Sequence, residues 1–437
     1  MTSEHQDTQL SRLEKENKRL RMAVEELSIL NEIAITISST NTLDRIVELI
    51  VQKCIKFLKV EQGAVMLLHE EDQDSPFQTM VRKADSSTMS RVLPFRLDTQ
   101  LTGWMLKHRE PLLINNFKED TRFHKGEDEN LAIHSLLCVP LRLKGKMTGL
   151  LTLFNKKTPE GFTVEDQRLL SIIAAQSAQI IENARLYEKE KELLRMEEQM
   201  HLAREIQLKL LPQSAPHLPG YAIAGHSVPA QEVGGDYYDF MAIDENHLAF
   251  CLGDVSGKGI PAAMLMSNLQ ATLRGQTLLE AIPKLCLERS NTLLFQSTDF
   301  QKFATLFYGI LDTQNHALTY CNGGHDNPFL FCKQQKPLRL AIGGTVLGFV
   351  EKFSYEQETI PMEPGNVLAI YSDGVTEAMN RDEEEFGEER LARVIAENCG
   401  KSPQELINNI LSAVRQFAGD APQMDDITIV VVKRDED

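Results

Sequence analysis

Four short acidic signatures follow one another in the second half of the chain: GGDYYDF from Gly234 to Phe240, GDVSGKG from Gly253 to Gly259, SDGVTEA from Ser372 to Ala378, and DDITIVVV from Asp425 to Val432. In each, a carboxylate stands where an apolar run meets a turn. Phe250-Cys251-Leu252 runs into Gly253-Asp254, and Val367 to Tyr371 runs into Ser372-Asp373. Apolar runs of this length bounded by turn residues read as buried strands, so the acids sit at strand ends. A fold that gathers several strand ends gathers several carboxylates, and hard divalent cations such as Mg²⁺ or Mn²⁺ require such oxygen donors. The first expectation is a hydrolase working with two metal ions.

Length and charge are compatible with this. A chain of 437 residues, 42% of them hydrophobic, is too long for one ordinary domain and carries enough apolar matter for two cores. The 46 basic residues against 63 acidic ones give a net charge of −17, which argues against nucleic acid or an anionic membrane as a partner. Seven cysteines are scattered, with no C-x-x-C pair, as expected of reduced thiols in a cytoplasmic protein. No apolar run approaches the roughly 18 residues that a membrane span needs.

The order along the chain is helix, domain, helix, domain. From Leu10 through Leu13, Leu20, Val24 and Leu27, with Asn17 and Asn31 on the same seam, residues 1–31 show a heptad pattern. It reads either as a parallel coiled-coil dimer, with Asn17 fixing register, or as an amphipathic helix packed on its own domain. Residues 32–185 read as one α+β domain. Helical patterning covers Asn31 to Leu58, and strand-like runs lie at Gly63 to His69, Ser135 to Leu141 and Thr148 to Phe154. Lys144-Gly145-Lys146 is a hairpin turn signal, and a closing helix begins near Thr163, with Asp166 completing a capping-box relative.

Here LTGWMLKHREPLLI, SLLCVPLRLKGKMTGLLTLFNK and FTVEDQRLLSIIAAQSAQIIENARLY resemble a GAF sensory domain, which implies an antiparallel sheet with flanking helices. Cyclic-nucleotide-binding members carry Asn-Lys followed by Phe-x-x-x-Asp-Glu. This chain has Asn155-Lys156, Phe162 and Asp166, but Gln167 where the Glu belongs. A small-molecule ligand of this domain stays open, because the same residues also serve to hold the last helix.

From Asn183 to Leu211 there is neither glycine nor proline, and Pro212 ends the run. A helix of this length reaches about 40 Å. Leu186, Leu193, Met196, Met200, Ala203 and Leu210 form a seven-residue seam interrupted by Lys189 and Gln207. Residues 186–212 are therefore expected to be a coiled-coil signalling linker in a homodimer, with a rigid spacer as the alternative.

Residues 213–437 carry the chemistry. The four ordered motifs and the GGHDNP turn from Gly323 to Pro328 resemble the metal-dependent PPM-type protein serine/threonine phosphatases, in their bacterial SpoIIE and RsbU branch; AREIQLKLLP, from Ala203 to Pro212, resembles that branch as well. The resemblance implies an α/β/β/α sandwich, making the whole chain a multidomain α+β protein. It implies Asp236 and Asp254 as ligands of two Mn²⁺ or Mg²⁺ ions, Asp254 bridging them and the Val255 carbonyl adding a neutral oxygen. Asp373 would hold one ion and Asp425 the other. Asp239 and Asp426 stay open between holding a metal-bound water and, for Asp426, capping the turn. Lys258 stays open between a substrate-phosphate contact and a solvated turn residue.

The implied reaction is direct hydrolysis of phosphoserine or phosphothreonine by a metal-bridging hydroxide, the ions lying about 3.5 to 4 Å apart. Phosphorylated STAS-domain anti-sigma-factor antagonists are the implied substrates. Two departures from the eukaryotic pattern stand out. Pro229 to Val233 reads PAQEV, without the phosphate-binding arginine, and Ser256 replaces the histidine after the bridging aspartate. The leaving-group proton donor is thereby unassigned; His325 is the nearest candidate by motif, and its alternative is a structural hydrogen-bonding role. Two other classes compete with the phosphatase. GGDYY is similar to the GGDEF motif of diguanylate cyclases, yet Tyr237 stands where a glutamate is needed and SDGVTEA goes unexplained. A phosphatase-fold binding scaffold is the non-enzyme alternative.

Overall fold

The computed structural model describes residues 12, 13, 16, 17, 20, 24, 28, 42–68, 77–83, 99–123, 133–279, 281–298, 302–331 and 336–436. The chain divides into two compact units between Arg195 and Met196. Of the N-terminal heptad seam, Leu13, Asn17, Leu20 and Val24 are helical and exposed, whereas Leu10, Leu27 and Asn31 lie outside the described residues.

The first unit is built on a five-stranded antiparallel sheet in the order β2-β1-β5-β4-β3. The strands are β1 (Val60–Leu68), β2 (Phe77–Lys83), β3 (Leu112–Ile114), β4 (Leu136–Leu143) and β5 (Lys146–Lys156). The last two form the hairpin expected at Lys144-Gly145. Their apolar runs are continuous because both faces are covered. Leu137, Val139, Leu141, Leu151 and Leu153 pack with α1 (Leu43–Leu58) and the start of α3 (Val164–Leu210). The alternate residues Leu136, Cys138, Leu150 and Phe154 pack with Met105 of α2 (Thr99–His108).

The residues that resemble the cyclic-nucleotide-binding signature are engaged by protein partners. Lys156 Nζ pairs with Asp166 Oδ1 at 2.8 Å, and Asn155 Nδ2 donates to Glu61 Oε2 at 2.8 Å. Asp166 and Thr163 close the capping box, with Thr163 N–H donating to Asp166 Oδ2 at 2.9 Å and Asp166 N–H to Thr163 Oγ1 at 3.2 Å. The helix thus started runs without interruption for 47 residues, so the closing helix of the first unit and the expected linker are one element.

The second unit is a sandwich of two antiparallel-rich sheets with helices on both outer faces. One sheet runs β13-β10-β9-β8-β7, with β14 also on β10. Its members are β7 (Tyr237–Ala242), β8 (His247–Val255), β9 (Ala304–Asp312), β10 (Ala317–Gly323), β13 (Gly343–Gly344) and β14 (Glu358–Pro361). The other runs β12-β11-β15-β16-β6. It comprises β6 (Tyr221–Val228), β11 (Phe329–Phe331), β12 (Leu338–Arg339), β15 (Val367–Tyr371) and β16 (Ile427–Arg434).

Period-two patterning sorts the strands into layers. Phe250, Leu252, Phe307, Leu368, Ile370, Val430 and Val432 fill the space between the sheets. Ala249 and Cys251 face α4 (Ile260–Leu279) and α5 (Pro283–Ser297) on one side. On the other, Val367, Ala369, Ile429 and Val431 face α7 (Gly387–Asn398) and α8 (Pro403–Ala418); α6 (Asp373–Thr376) is a single short turn after β15. This is the expected α/β/β/α sandwich. Among the described residues no helix is long and apolar enough to cross a membrane, and the described cysteines are free thiols.

Ile410 of α8 is fully buried against the second sheet. Ile410→Ala should therefore lower stability by about 2–5 kcal/mol. Urea unfolding should show this as a lower midpoint at unchanged slope.

Candidate metal centre

The antiparallel registers bring the four acids to one end of the sandwich. Tyr237 pairs with Gly253, so Asp236, just before β7, lies beside Asp254 near the end of β8. Tyr371 pairs with Ile429, so Asp373, just after β15, lies on the same side as Asp425, just before β16. Ser372 fastens that second pair of ends. Its hydroxyl donates to the Asp426 carbonyl at 3.0 Å and accepts from Thr428 N–H at 2.9 Å.

Electrostatics shows how closely the acids share the site. Burial, and then the charges of Asp373 and Asp425, push the Asp254 carboxyl up to about 7. Burial and Asp254 hold Asp236 well above the usual carboxylate range, and burial and Asp425 raise Asp373. Such shifts are what desolvated like charges produce when they outweigh the compensating contacts, here Thr428 and Ser372 on Asp236 and Lys258 on Asp373. Asp236 is only 4% exposed, and its Oδ2 has no hydrogen-bond partner. Gly235 explains how this carboxylate approaches the next strand. A Cβ there would come within 3.2 Å of the Val255 carbonyl oxygen and 3.4 Å of Asp254 Oδ1. An unpartnered buried carboxylate oxygen, a neighbouring carbonyl and more acids form a hard-oxygen donor set that fits Mg²⁺ or Mn²⁺. Among the described residues no group of three or more His, Cys, Asp or Glu side chains is drawn tightly enough together to enclose an ion as it stands.

The two acids left open by the sequence are both occupied. Asp426 accepts at Oδ1 from Ala230 N–H (2.7 Å) and at Oδ2 from Gly235 N–H (2.6 Å) and Asp236 N–H (3.3 Å). It binds the turn before β7 to the start of β16. Asp239, whose side chain is 1% exposed, faces α4 and takes a forked pair from Arg274, Nε to Oδ2 at 2.6 Å and Nη2 to Oδ1 at 3.1 Å. Tyr237 Oη donates to the same Oδ2 at 2.6 Å. Lys258 Nζ pairs with Asp425 Oδ2 at 2.8 Å and donates to the Met424 carbonyl at 2.6 Å.

His325 is buried, with Nδ1 2.9 Å from Thr305 Oγ1, and Thr305 Oγ1 accepts from Asp254 N–H at 3.3 Å. Burial pushes this imidazole down to about 4, so it is neutral at physiological pH. Thr305 thus links it to the backbone of Asp254, while its Nε2 is buried without a hydrogen-bond partner. Thr305, Ser372, Arg274 and Gln207 were not singled out as site partners from sequence. Gln207 of α3 clamps the Gly234 backbone in both directions, donating to its carbonyl at 2.7 Å and accepting from its N–H at 3.0 Å. The one signal for it was a polar residue interrupting an apolar seam.

Known proteins are similar to this chain in sequence and fold. A family model described as Stage II sporulation protein E (SpoIIE) matches residues 244–435, and a GAF domain model matches residues 40–182. Phosphoserine phosphatase RsbU of Bacillus subtilis (strain 168) is 32% identical over 238 residues, or 54% of this chain and 70% of that protein. Protein IcfG of Synechocystis sp. is 28% identical over 263 residues, covering 54% of this chain and 41% of the relative, so the chain spans less than half of it. The solved SiaA-PP2C domain of Pseudomonas aeruginosa shares the fold, with a TM-score of 0.50 at 19% identity over 56% of this chain and 99% of that domain. The chain belongs to the SpoIIE family of PP2C-type protein serine/threonine phosphatases and carries a GAF domain ahead of the phosphatase domain.

The raised carboxyls have a consequence for stability without divalent cations. Asp254 keeps its proton up to about pH 7 when folded, but only to about pH 4 when unfolded. Between these values the unfolded chain binds fewer protons, so stability falls as pH rises, and Asp236 and Asp373 act in the same sense. In chelator, thermal melts should show this decline. Added Mn²⁺ should raise the melting temperature by more at about pH 8 than at about pH 5. A gain independent of pH would dissociate the cation from these acids.

Proposed function

We propose that this chain is a metal-dependent phosphoprotein phosphatase whose GAF domain sets its activity through α3. The convergence of Asp236, Asp254, Asp373 and Asp425 from two sheets onto one end of the sandwich carries this reading. Asp236 and Asp254 with the Val255 carbonyl, together with Asp373 and Asp425, would hold two Mn²⁺ or Mg²⁺ ions. When bound, the ions supply Lewis acidity toward the phosphoryl oxygens and an activated water for direct attack.

The chain's own residues supply geometry and charge. Asp426 fixes the turn that presents Asp236, Ser372 aligns the ends that present Asp373 and Asp425, and Thr305 with His325 steadies Asp254. Asp239 serves the Arg274 pair, outside the ligand set. In this reading the described cysteines take no part in the reaction. The described thiols are buried or half-buried, and burial pushes Cys54, for one, up to about 12.

The name of RsbU supports phosphoserine as the substrate group, and a phosphorylated STAS-domain anti-sigma-factor antagonist in the cytoplasm is the partner this reading favours. Leu186, Leu193 and Met196 on α3 are exposed at heptad-related positions, which supports a parallel homodimer along this helix. A ligand of the GAF domain would act through the same helix, since Gln207 holds the backbone two residues from Asp236.

Turnover of p-nitrophenyl phosphate should require Mn²⁺ or Mg²⁺, vanish with chelator and survive thiol alkylation. Asp254→Asn and Asp373→Asn should each lower it by several orders of magnitude at unchanged circular dichroism, since each removes charge and a ligand together. Near-normal turnover in either variant would sink the assignment.

Control through α3 has its own test. Inserting one residue near Gln199 turns the downstream helix by about 100° and should change phosphatase activity, whereas seven residues restore the heptad phase and most of the original behaviour. Activity indifferent to insertion length would reduce the helix to a tether.

A further inference from the structure

We propose that Lys302 provides the side-chain cation that meets the substrate phosphate, an inference that rests on the phosphatase reading above. A phosphate monoester reaches this site as a dianion and must approach a cluster of carboxylates. A fixed cation at the rim lowers the cost of that approach and forms charge-assisted hydrogen bonds with phosphoryl oxygens. The question is which side chain is placed and available to do it.

The loop from Val255 to Gly259 follows directly on Asp254, the carboxylate that feels the charges of Asp373, Asp425 and Asp426. It is tied to the start of β9 from both sides. Ser256 N–H donates to the Phe303 carbonyl at 2.9 Å, and Phe303 N–H donates to Ser256 Oγ at 3.0 Å. Lys302, the residue before Phe303, is thereby held against this loop. Its Nζ lies 3.1 Å from where a Cβ would stand on Gly257. Gly257 has a φ of +103°, a conformation that favours glycine, and its missing side chain leaves the space that the ammonium group occupies.

Other candidates are spent or uncharged. Lys258 is engaged by Asp425 and the Met424 carbonyl, and Arg274 by Asp239 on the face of the sheet covered by α4. Gln231, from the PAQEV segment, also reaches the loop, with its Oε1 3.2 Å from a would-be Cβ on Gly259, but it brings a neutral amide. Among the described residues no carboxylate pairs with Lys302. Lys302 stands outside all four acidic motifs, so only the β8–β9 pairing brings it to Gly257, three residues after Asp254.

The test is Lys302→Met in the full chain, with Lys302→Gln as a second variant and Lys302→Arg as the rescue. In the presence of Mn²⁺, inorganic phosphate binding is measured by calorimetry, and KM and kcat are measured with p-nitrophenyl phosphate and a phosphoserine peptide. Loss of one charge-assisted contact should weaken phosphate binding and raise KM on the order of tenfold, leave kcat within about threefold, and leave Mn²⁺ affinity unchanged. Lys302→Arg should restore both values. Unchanged phosphate binding in Lys302→Met and Lys302→Gln would overturn the proposal. So would a loss confined to kcat with lowered Mn²⁺ affinity, which would make the residue a support of the loop. Phosphate binding is read without turnover, so an inactive wild type would defeat the phosphatase reading while still deciding the role of Lys302.

Discussion

The carboxylate of Asp426 joins the two sheets at the end where the other acids meet. It comes from the start of β16 in one sheet and accepts three backbone N–H groups from residues 230, 235 and 236, which lead into β7 of the other. A buried carboxylate is costly unless its lone pairs are filled, and here the filling groups are the backbone of the neighbouring sheet. Together with the Lys258–Asp425 pair, this link holds Asp236 and Asp254 of one sheet against Asp373 and Asp425 of the other.

That convergence works against the metal-free fold. Asp236 is almost fully buried with one oxygen unpartnered, and the Asp254 carboxyl is pushed up to about 7 by burial and its neighbours. Proteins keep such strained groups where their chemistry requires it. The surrounding structure holds the site in place through neutral contacts such as Ser372, Thr305 and the buried, uncharged His325. The Asp239–Arg274 pair under the same sheet shows the contrast. There a carboxylate of similar burial is fully matched by a guanidinium and a tyrosine hydroxyl, and it contributes to packing rather than to the acid cluster.

The GAF half of the molecule is assembled from ordinary packing. Both faces of its sheet are buried, and the residues that resemble a nucleotide-binding signature are consumed in an ion pair and a capping box at the start of α3. The same helix continues to Gln207, which grips Gly234. A single element therefore begins in one unit and ends on the backbone beside Asp236.

Much of this was legible in the residues. Apolar runs ending in Asp, the turn at Lys144-Gly145 and the cap at Thr163 depend on local patterning, and local patterning decides strands, turns and helix starts before any tertiary contact forms. The order of the four acidic motifs likewise identified the fold class. What remained open were choices between partners distant in sequence. Asp426 and Asp239 look alike in the chain, each an acid beside a motif aspartate or aromatic pair. Their partners, Gly235 at 191 positions' separation and Arg274 at 35, are chosen only by the pairing of β16 with β6 and the packing of α4 on β7. Lys302 carries no motif at all, and the β8–β9 register alone brings it to Gly257. Sequence by itself determined which segments are strands and which acids stand at their ends. Tertiary structure decided which of those acids are neutralised by a partner and which are left facing one another, because hydrogen bonds and ion pairs form between surfaces that only the folded sheets bring together.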